Sequence, residues 1–452
     1  MPDPDFPLPA TPFQRHPAAV PQGRAQRLLH LGRAVGELAA GAAAEGLQRM
    51  ARGERPDLQQ WLLTPANARR LAERLSKMRG AVMKFGQLMS MDGQGVLPPE
   101  FAQLLAGLRE RAHVMPDTQL AETLEREYGA QWHKRFRHFG IQPIAAASIG
   151  QVHRAETHDG RVLALKIQYP GVRASIDSDV ANLALLARTP GLVPRGLDVA
   201  PLLARVREQL HHETDYRAEA ASATEYRRRL GADPVLSVPA VVDEHCTGHI
   251  LASEFAAGQP IDRLAEGAAP QAQRDAVATA LCRLGVRELF DMQLVQTDPN
   301  FGNYLFDAAS GRISLLDFGA TEAVAPERVE QLRELARAFR ANDAVRTTAA
   351  ARHSGFIGNG DSPAQAARIT ELMLLAGEPL RHAGAYDFAA SNLFGRVFAE
   401  GRDQYFEQGF TQAPPADLIF LQRKFVGSFL LCTRLRARVD MGAAFAEALG
   451  PA

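Results

Sequence analysis

The stretch "LVQTDPNFGNYLFDAASGRISLLDFGA", residues 294–320, decides how the rest of the chain is read. It opens on a short apolar run, turns, forms a strand, turns again and forms a second strand. Asp298 and Asn303 stand with four residues between them, and Asp317 follows the apolar run "ISLL" directly. Asp, Asn and Gly favour turns in any protein. Two carboxylates and a carboxamide gathered around one small hairpin ask for more than turn formation.

Oxygen ligands on neighbouring loops suit a hard divalent cation. Mg²⁺ is held by one or two carboxylates together with phosphate oxygens. On this reading Asn303 and Asp317 are metal-ligating candidates, and Asp298 is left to orient a hydroxyl or a water. The spacing D-x-x-x-x-N followed by D-F-G is that of phosphoryl-transfer catalytic loops in protein kinases. Such chemistry predicts an upstream lysine on a strand. "VLALKIQ" supplies Lys166 between apolar neighbours. Its acidic partner stays open, because Glu208, Glu213, Asp215 and Glu219 all lie on the helical stretch that follows. The phosphate loop is expected just before the lysine. There the chain reads "PIAAASIGQVHRA", with Ala145, Ala146, Ala147 and Ser148 where a kinase carries glycines, and only Gly150 retained. Alanine restricts positive φ and adds a methyl group where backbone approaches phosphate.

The bulk numbers describe an ordinary soluble composition: 452 residues, 46% hydrophobic, 23% charged, with 51 basic residues balancing 51 acidic ones. No basic surplus points to nucleic acid. Three cysteines, Cys246, Cys282 and Cys432, form no CxxC and read as small packed residues in a reducing compartment. Residues 1–25 are proline-rich without an apolar signal core and read as a flexible arm. No run is long and apolar enough to predict a transmembrane helix, so a cytoplasmic location is expected, at most peripheral to a membrane.

The periodicity predicts helices at 58–89 and 117–137, the latter with Asp117 as N-cap, and at 172–188 and 198–229. It predicts strands in "IGQVHRAET", "RVLALKIQ", "SVPAVVDE" and "GHILASEF". Beyond Gly258 the pattern is helical apart from the opening hairpin. "APE" at 325–327 reads as a helix start with Pro326 near N1. The fold class is therefore α+β and bilobal. Its expected parts are the arm (1–25), a helical extension (26–137), a small-sheet lobe with inserted helices (138–257) and a helical lobe (258–452).

Assembled, these residues resemble the UbiB/AarF (ABC1-type) family of atypical kinases, closest to the soluble coenzyme Q-supporting members. The marks are the K-x-G-Q of Lys84–Gln87, "AAASIGQVH", "KIQYPGV" from Lys166, the E-x-D of Glu213–Asp215, "QTDPNFGN" and "KFVGSFLLCTRLRARV". The resemblance implies a protein-kinase-like fold with the extension covering the active site. It implies that Lys166 pairs with Glu219 and contacts nucleotide phosphates, with Asp298 at the catalytic-base position and Asn303 and Asp317 on metal. It places Ala145–Ser148 and Gly150 on the nucleotide and Glu254 to Ala256 at the adenine. Lys84, Gly86 and Gln87 would occlude the cleft near Glu213 and Asp215. ATP and Mg²⁺ are the implied cofactors. Quinone-precursor lipids or biosynthetic enzymes are the implied partners, in support of ubiquinone biosynthesis or lipid homeostasis. The alternatives are a phosphotransferase acting on a small molecule or protein and a nucleotide-binding scaffold without turnover.

Overall fold

In the segment Val162–Gln168 every second side chain points into the core. Leu163, Leu165 and Ile167 are fully buried, and Lys166 lies on the opposite face. That alternation makes the segment a strand with one apolar face. In the computed structural model it pairs antiparallel with Gly150–Glu156 on one side and Ile250–Glu254 on the other. The structure describes residues 16–17, 113–187, 200–267, 269–298, 300–407 and 416–449. The predicted helix at 58–89, with Lys84, Gly86 and Gln87, lies outside the described residues.

The described residues divide into two compact units. One runs to Ala221 and takes back Ala240–Phe255; the other comprises Ser222–Pro239 and the chain from Ala256 onward. In the first, His138–Phe139 and Ala145–Ala146 also pair with Gly150–Glu156, completing a five-stranded sheet. Leu163, Leu165 and Ile167 share a core with Leu124 of the Asp117–Tyr128 helix, Ile176 and Val180 of Val172–Ala187, and Val206 and Leu210 of Ala200–Glu213.

Several boundaries differ from the sequence expectation. The first described helix stops at Tyr128, because Gly129 takes φ +87° and its N–H closes on Glu125; Pro116, not Asp117, is its N-cap. The single helix expected over 198–229 is two, Ala200–Glu213 and Tyr216–Leu230. Asp215 breaks the run by capping the second helix, its Oδ1 accepting the Ala218 N–H at 3.1 Å. "SVPAVVDE" is not a continuous strand. Pro239 cannot donate to a ladder, and the segment makes a strand at Leu236–Ser237, one bridge from Val241 to Ser253 and a 3₁₀ turn at Asp243–His245.

In the second unit the opening stretch forms the hairpin Tyr304–Asp307 and Arg312–Leu315, turned at Gly311 with φ +71°. Leu236–Ser237 and Gln259–Pro260 extend it to four strands. Leu294–Gln296 pairs separately with Thr321–Ala323. Helices make up most of the remainder, including Gln271–Arg287, Pro326–Ala341 and Ala416–Leu435. Pro326 sits at the first helical position after Ala325, as its fixed φ favours. No helix among the described residues is long and apolar enough to cross a membrane.

Candidate active site

In the first unit, Lys166 Nζ donates to both carboxylate oxygens of Glu219, at 2.8 and 2.9 Å. Glu219 is in the first turn of Tyr216–Leu230, and its side chain is 1% exposed against 16% for Lys166. The ammonium also stands over the Tyr216 ring, 5.2 Å from its centroid. A fixed, largely desolvated lysine is suited to carrying phosphate charge, because the field of a charge grows as water is removed.

The alanine-rich segment is a tight hairpin. Ala145 and Ala146 pair with Val152 and Gln151, and Ala147 N–H closes on Gly150 O at 2.8 Å. Gly150 is required by packing: a Cβ there would stand 2.5 Å from the Ile167 carbonyl oxygen and 2.9 Å from the Tyr216 hydroxyl. Ser148 Oγ donates to Glu213 Oε2 at 3.2 Å, so the hairpin tip is tied to the E-x-D segment. Lys166 is paired in register with Leu251, three residues before Glu254. The Glu254 carboxylate accepts the Ala240 N–H at 3.2 Å, and the next residue, Phe255, donates its own N–H to Val162 O. Ala256 begins the segment assigned to the second unit.

In that second unit, the pairing of Leu294–Gln296 with Thr321–Ala323 brings the two acidic loops together. Asp298 lies just after one strand and Asp317 just before the other. Thr297 ties them, its N–H and hydroxyl both reaching Ala320 O at 2.8 Å, and Gln296 Nε2 donates to Asp317 O at 3.1 Å. Asn303 turns its amide nitrogen toward Asp298 O at 3.5 Å, which leaves its amide oxygen directed elsewhere. Asn303 and Asp317 line one small cavity with Gln296 and Tyr304. Asp317 Oδ1 accepts the Gly319 N–H at 3.0 Å.

Two cations not assigned a role by sequence reach this loop from the Ala416–Leu435 helix. Arg423 Nη2 is 3.7 Å from Asp298 Oδ1, and Lys424 Nζ is 2.7 Å from Glu288 Oε2. Burial alone would lower the Lys424 pKa, but the facing Glu288 carboxylate, together with the Tyr304 hydroxyl, outweighs it and holds the ammonium above its ordinary value. Their signal was present in "LQRKFVGSFLL", where two adjacent cations interrupt an apolar helical run.

A family model described as "ABC1 atypical kinase-like domain" matches residues 107–351. The rat "Atypical kinase COQ8B, mitochondrial" is 37% identical over 93% of this chain and 79% of its own length. The Saccharomyces cerevisiae "Atypical kinase COQ8, mitochondrial" is 33% identical over 95% of this chain and 85% of its own. The chain belongs to the ABC1 atypical kinase family. A Mycobacterium tuberculosis structure, Rv3197 in complex with erythromycin, superposes with a TM-score of 0.60 at 24% identity over 85% of this chain and 97% of that one, and shares the fold. Membership brings a kinase-like α+β fold and with it the use of ATP, in phosphoryl transfer or hydrolysis.

Within that family framework the structure brings together Lys166 with Glu219 and Ser148 with Glu213. In the other unit it gathers Asp298, Asn303 and Asp317. Asp215 is found capping a helix. Lys84, Gly86 and Gln87 lie outside the described residues.

Proposed function

We propose that the protein binds ATP together with Mg²⁺ and moves its γ-phosphoryl group to water or to a small hydroxylated acceptor, in support of isoprenoid-quinone (ubiquinone) metabolism. The observation that carries the reading is the loop pair in the second unit, where two short strands hold Asp298, Asn303 and Asp317 in one place. One carboxylate and one carboxamide are hard oxygen donors, and among the described residues no group of three acidic, His or Cys side chains forms a self-sufficient metal site. That donor set fits a cation that completes its shell with phosphate oxygens. Asn303 and Asp317 would hold it, where it would offset phosphate charge.

The residues of the chain have separable tasks. Lys166, fixed by Glu219, carries phosphate charge, and such a lysine–glutamate pair must be in place for phosphoryl transfer. The Ala145–Ser148 hairpin, anchored through Glu213, presents a stiff backbone to the nucleotide. Glu254 to Ala256 would face the adenine. Asp298 orients the attacking oxygen and takes its proton, with Arg423 beside it. Lys84, Gly86 and Gln87 belong, on this reading, to an extension that limits which acceptors enter.

A polypeptide acceptor is disfavoured. After Asp317-Phe318-Gly319 the chain forms the strand Thr321–Ala323 and starts a helix at Pro326, so no long segment remains on which a peptide could dock. A location peripheral to a membrane, where quinone precursors reside, is part of the proposal. The test is ATP turnover by the purified protein, with and without Mg²⁺, phenolic quinone precursors and anionic vesicles, scored for free phosphate and for phosphorylated product. Metal-dependent turnover is expected; no turnover and no Mg-ATP binding in any arm would remove the reading.

A further inference from the structure

Glu288 begins a π-helical turn, Glu288–Met292, at the end of the Gln271–Arg287 helix, and it is completely buried. Its Oε1 accepts the Tyr226 hydroxyl at 2.6 Å and the Gln296 N–H at 3.2 Å. Its Oε2 meets Lys424 Nζ at 2.7 Å, and the same ammonium reaches the Tyr304 hydroxyl at 3.5 Å. Lys424 is 3% exposed. The Tyr226 ring packs on Phe318 with centroids 4.8 Å apart.

The groups these two charges touch are not scattered. Gln296 stands two residues before Asp298 and Tyr304 directly follows Asn303; Phe318, which directly follows Asp317, is reached at one remove, through the Tyr226 ring. The loop bearing Asp298 and Asn303 is therefore bonded directly to one buried ion pair, and the loop bearing Asp317 is joined to it through Tyr226. Stability gives no reason for the pair. Taking two charges out of water costs about as much as their attraction returns, and apolar side chains of similar volume fill such sites equally well or better. What apolar side chains lack is direction: a hydrogen bond fixes an angle and a distance, and a methyl group fixes neither.

We propose that Lys424 and Glu288 are positioning residues, a hub whose directional bonds hold the register of the loops bearing Asp298, Asn303 and Asp317. The inference rests on the reading of those three residues given above. It assigns no contact with nucleotide to either hub residue.

The test is the full-length triple variant Lys424→Met, Glu288→Leu, Tyr226→Phe, which removes both charges and the Tyr226 hydroxyl and leaves the Gln296 N–H and the Tyr304 hydroxyl without their hub partners. It should fold with a thermal midpoint near that of the wild type, the saving on two buried charges offset by the orphaned Gln296 N–H. Amide hydrogen exchange over residues 294–304 and 316–320 should quicken at least tenfold. The kcat for ATP should fall at least tenfold, and the Mg²⁺ concentration for half-maximal turnover should rise. Wild-type exchange in those segments of a folded variant overturns the proposal, whether or not the wild type turns over ATP. A wild type without turnover strikes only the functional reading. If the triple variant does not fold, Tyr226→Phe decides: it removes the one bond that ties the ring on Phe318 to the hub, so wild-type exchange over 316–320 in that variant is likewise refuting.

Discussion

Gly150→Ala should damage the nucleotide lysine without touching it. The added methyl would stand 2.5 Å from the Ile167 carbonyl oxygen, a backbone atom held in the sheet, and 2.9 Å from the Tyr216 hydroxyl. Contacts this short require movement. The Gly150–Glu156 and Val162–Gln168 strands must part or Tyr216 must retreat, and Tyr216 is fully buried. Overpacking of this kind costs about 1–3 kcal/mol, and with a backbone oxygen in the way the upper half applies, about 2–3 kcal/mol. For a unit of this size that is a fall in melting temperature of about 5–10 °C. Because the Tyr216 ring lies under Lys166 and Glu219 is on the same helix, displacement of the tyrosine also loosens the lysine–glutamate contact. Thermal unfolding together with calorimetric titration of Mg-ATP should show both effects, a lower midpoint and an affinity reduced about tenfold. A variant that melts with the wild type and binds nucleotide as tightly would show that neither strand nor tyrosine yields, and would refute the reasoning.

Asp317→Asn should weaken Mg-ATP binding while circular dichroism and melting stay near wild type, since it removes one charge that would face the cation; equal affinity by calorimetry would sink the metal assignment. Asp298→Asn should lower kcat at least a hundredfold with nucleotide affinity nearly unchanged, and an unaltered kcat would move the base elsewhere. Burial pushes the His153 imidazole down from 6.5 to about 4, against a hydrogen bond to Gly140 O that raises it. Above pH 6.5 both folded and unfolded forms are neutral there, so stability is complete; as the pH falls toward 4 only the unfolded chain takes the proton, and about 3 kcal/mol is lost. Denaturant titrations between pH 7 and pH 4 should show that loss, and a His153→Gln variant should lack this component of it.

The opening stretch was legible because its chemistry is local. Asp298, Asn303 and Asp317 are separated by a turn and a hairpin, and spacing alone brings them together once the strands form. Lys166 could be read for the same reason, from alternation within seven residues. Contacts made across long separations could not. The Ser148–Glu213 hydrogen bond spans 65 residues, and Cys282 and Cys432, 150 residues apart, place their sulfurs 3.4 Å from one another in the core. Nothing in a linear pattern pairs them. The helix break at Asp215 was hidden for a different reason. The apolar periodicity runs on through 198–229 as one helix, and only the backbone geometry shows that one helix ends at Glu213 and that Asp215 caps the next.

The setting of the Lys166–Glu219 contact bears on how such an enzyme is controlled. In protein kinases that contact is made and broken as the glutamate's helix changes position, and signalling pathways act on the change. Here the glutamate is sealed from solvent, and the helix begins with Tyr216, a core residue wedged against Gly150. To swing this helix outward would be to unfold part of the core. The contact is built in as this unit packs, so it should stay made whether or not nucleotide is bound.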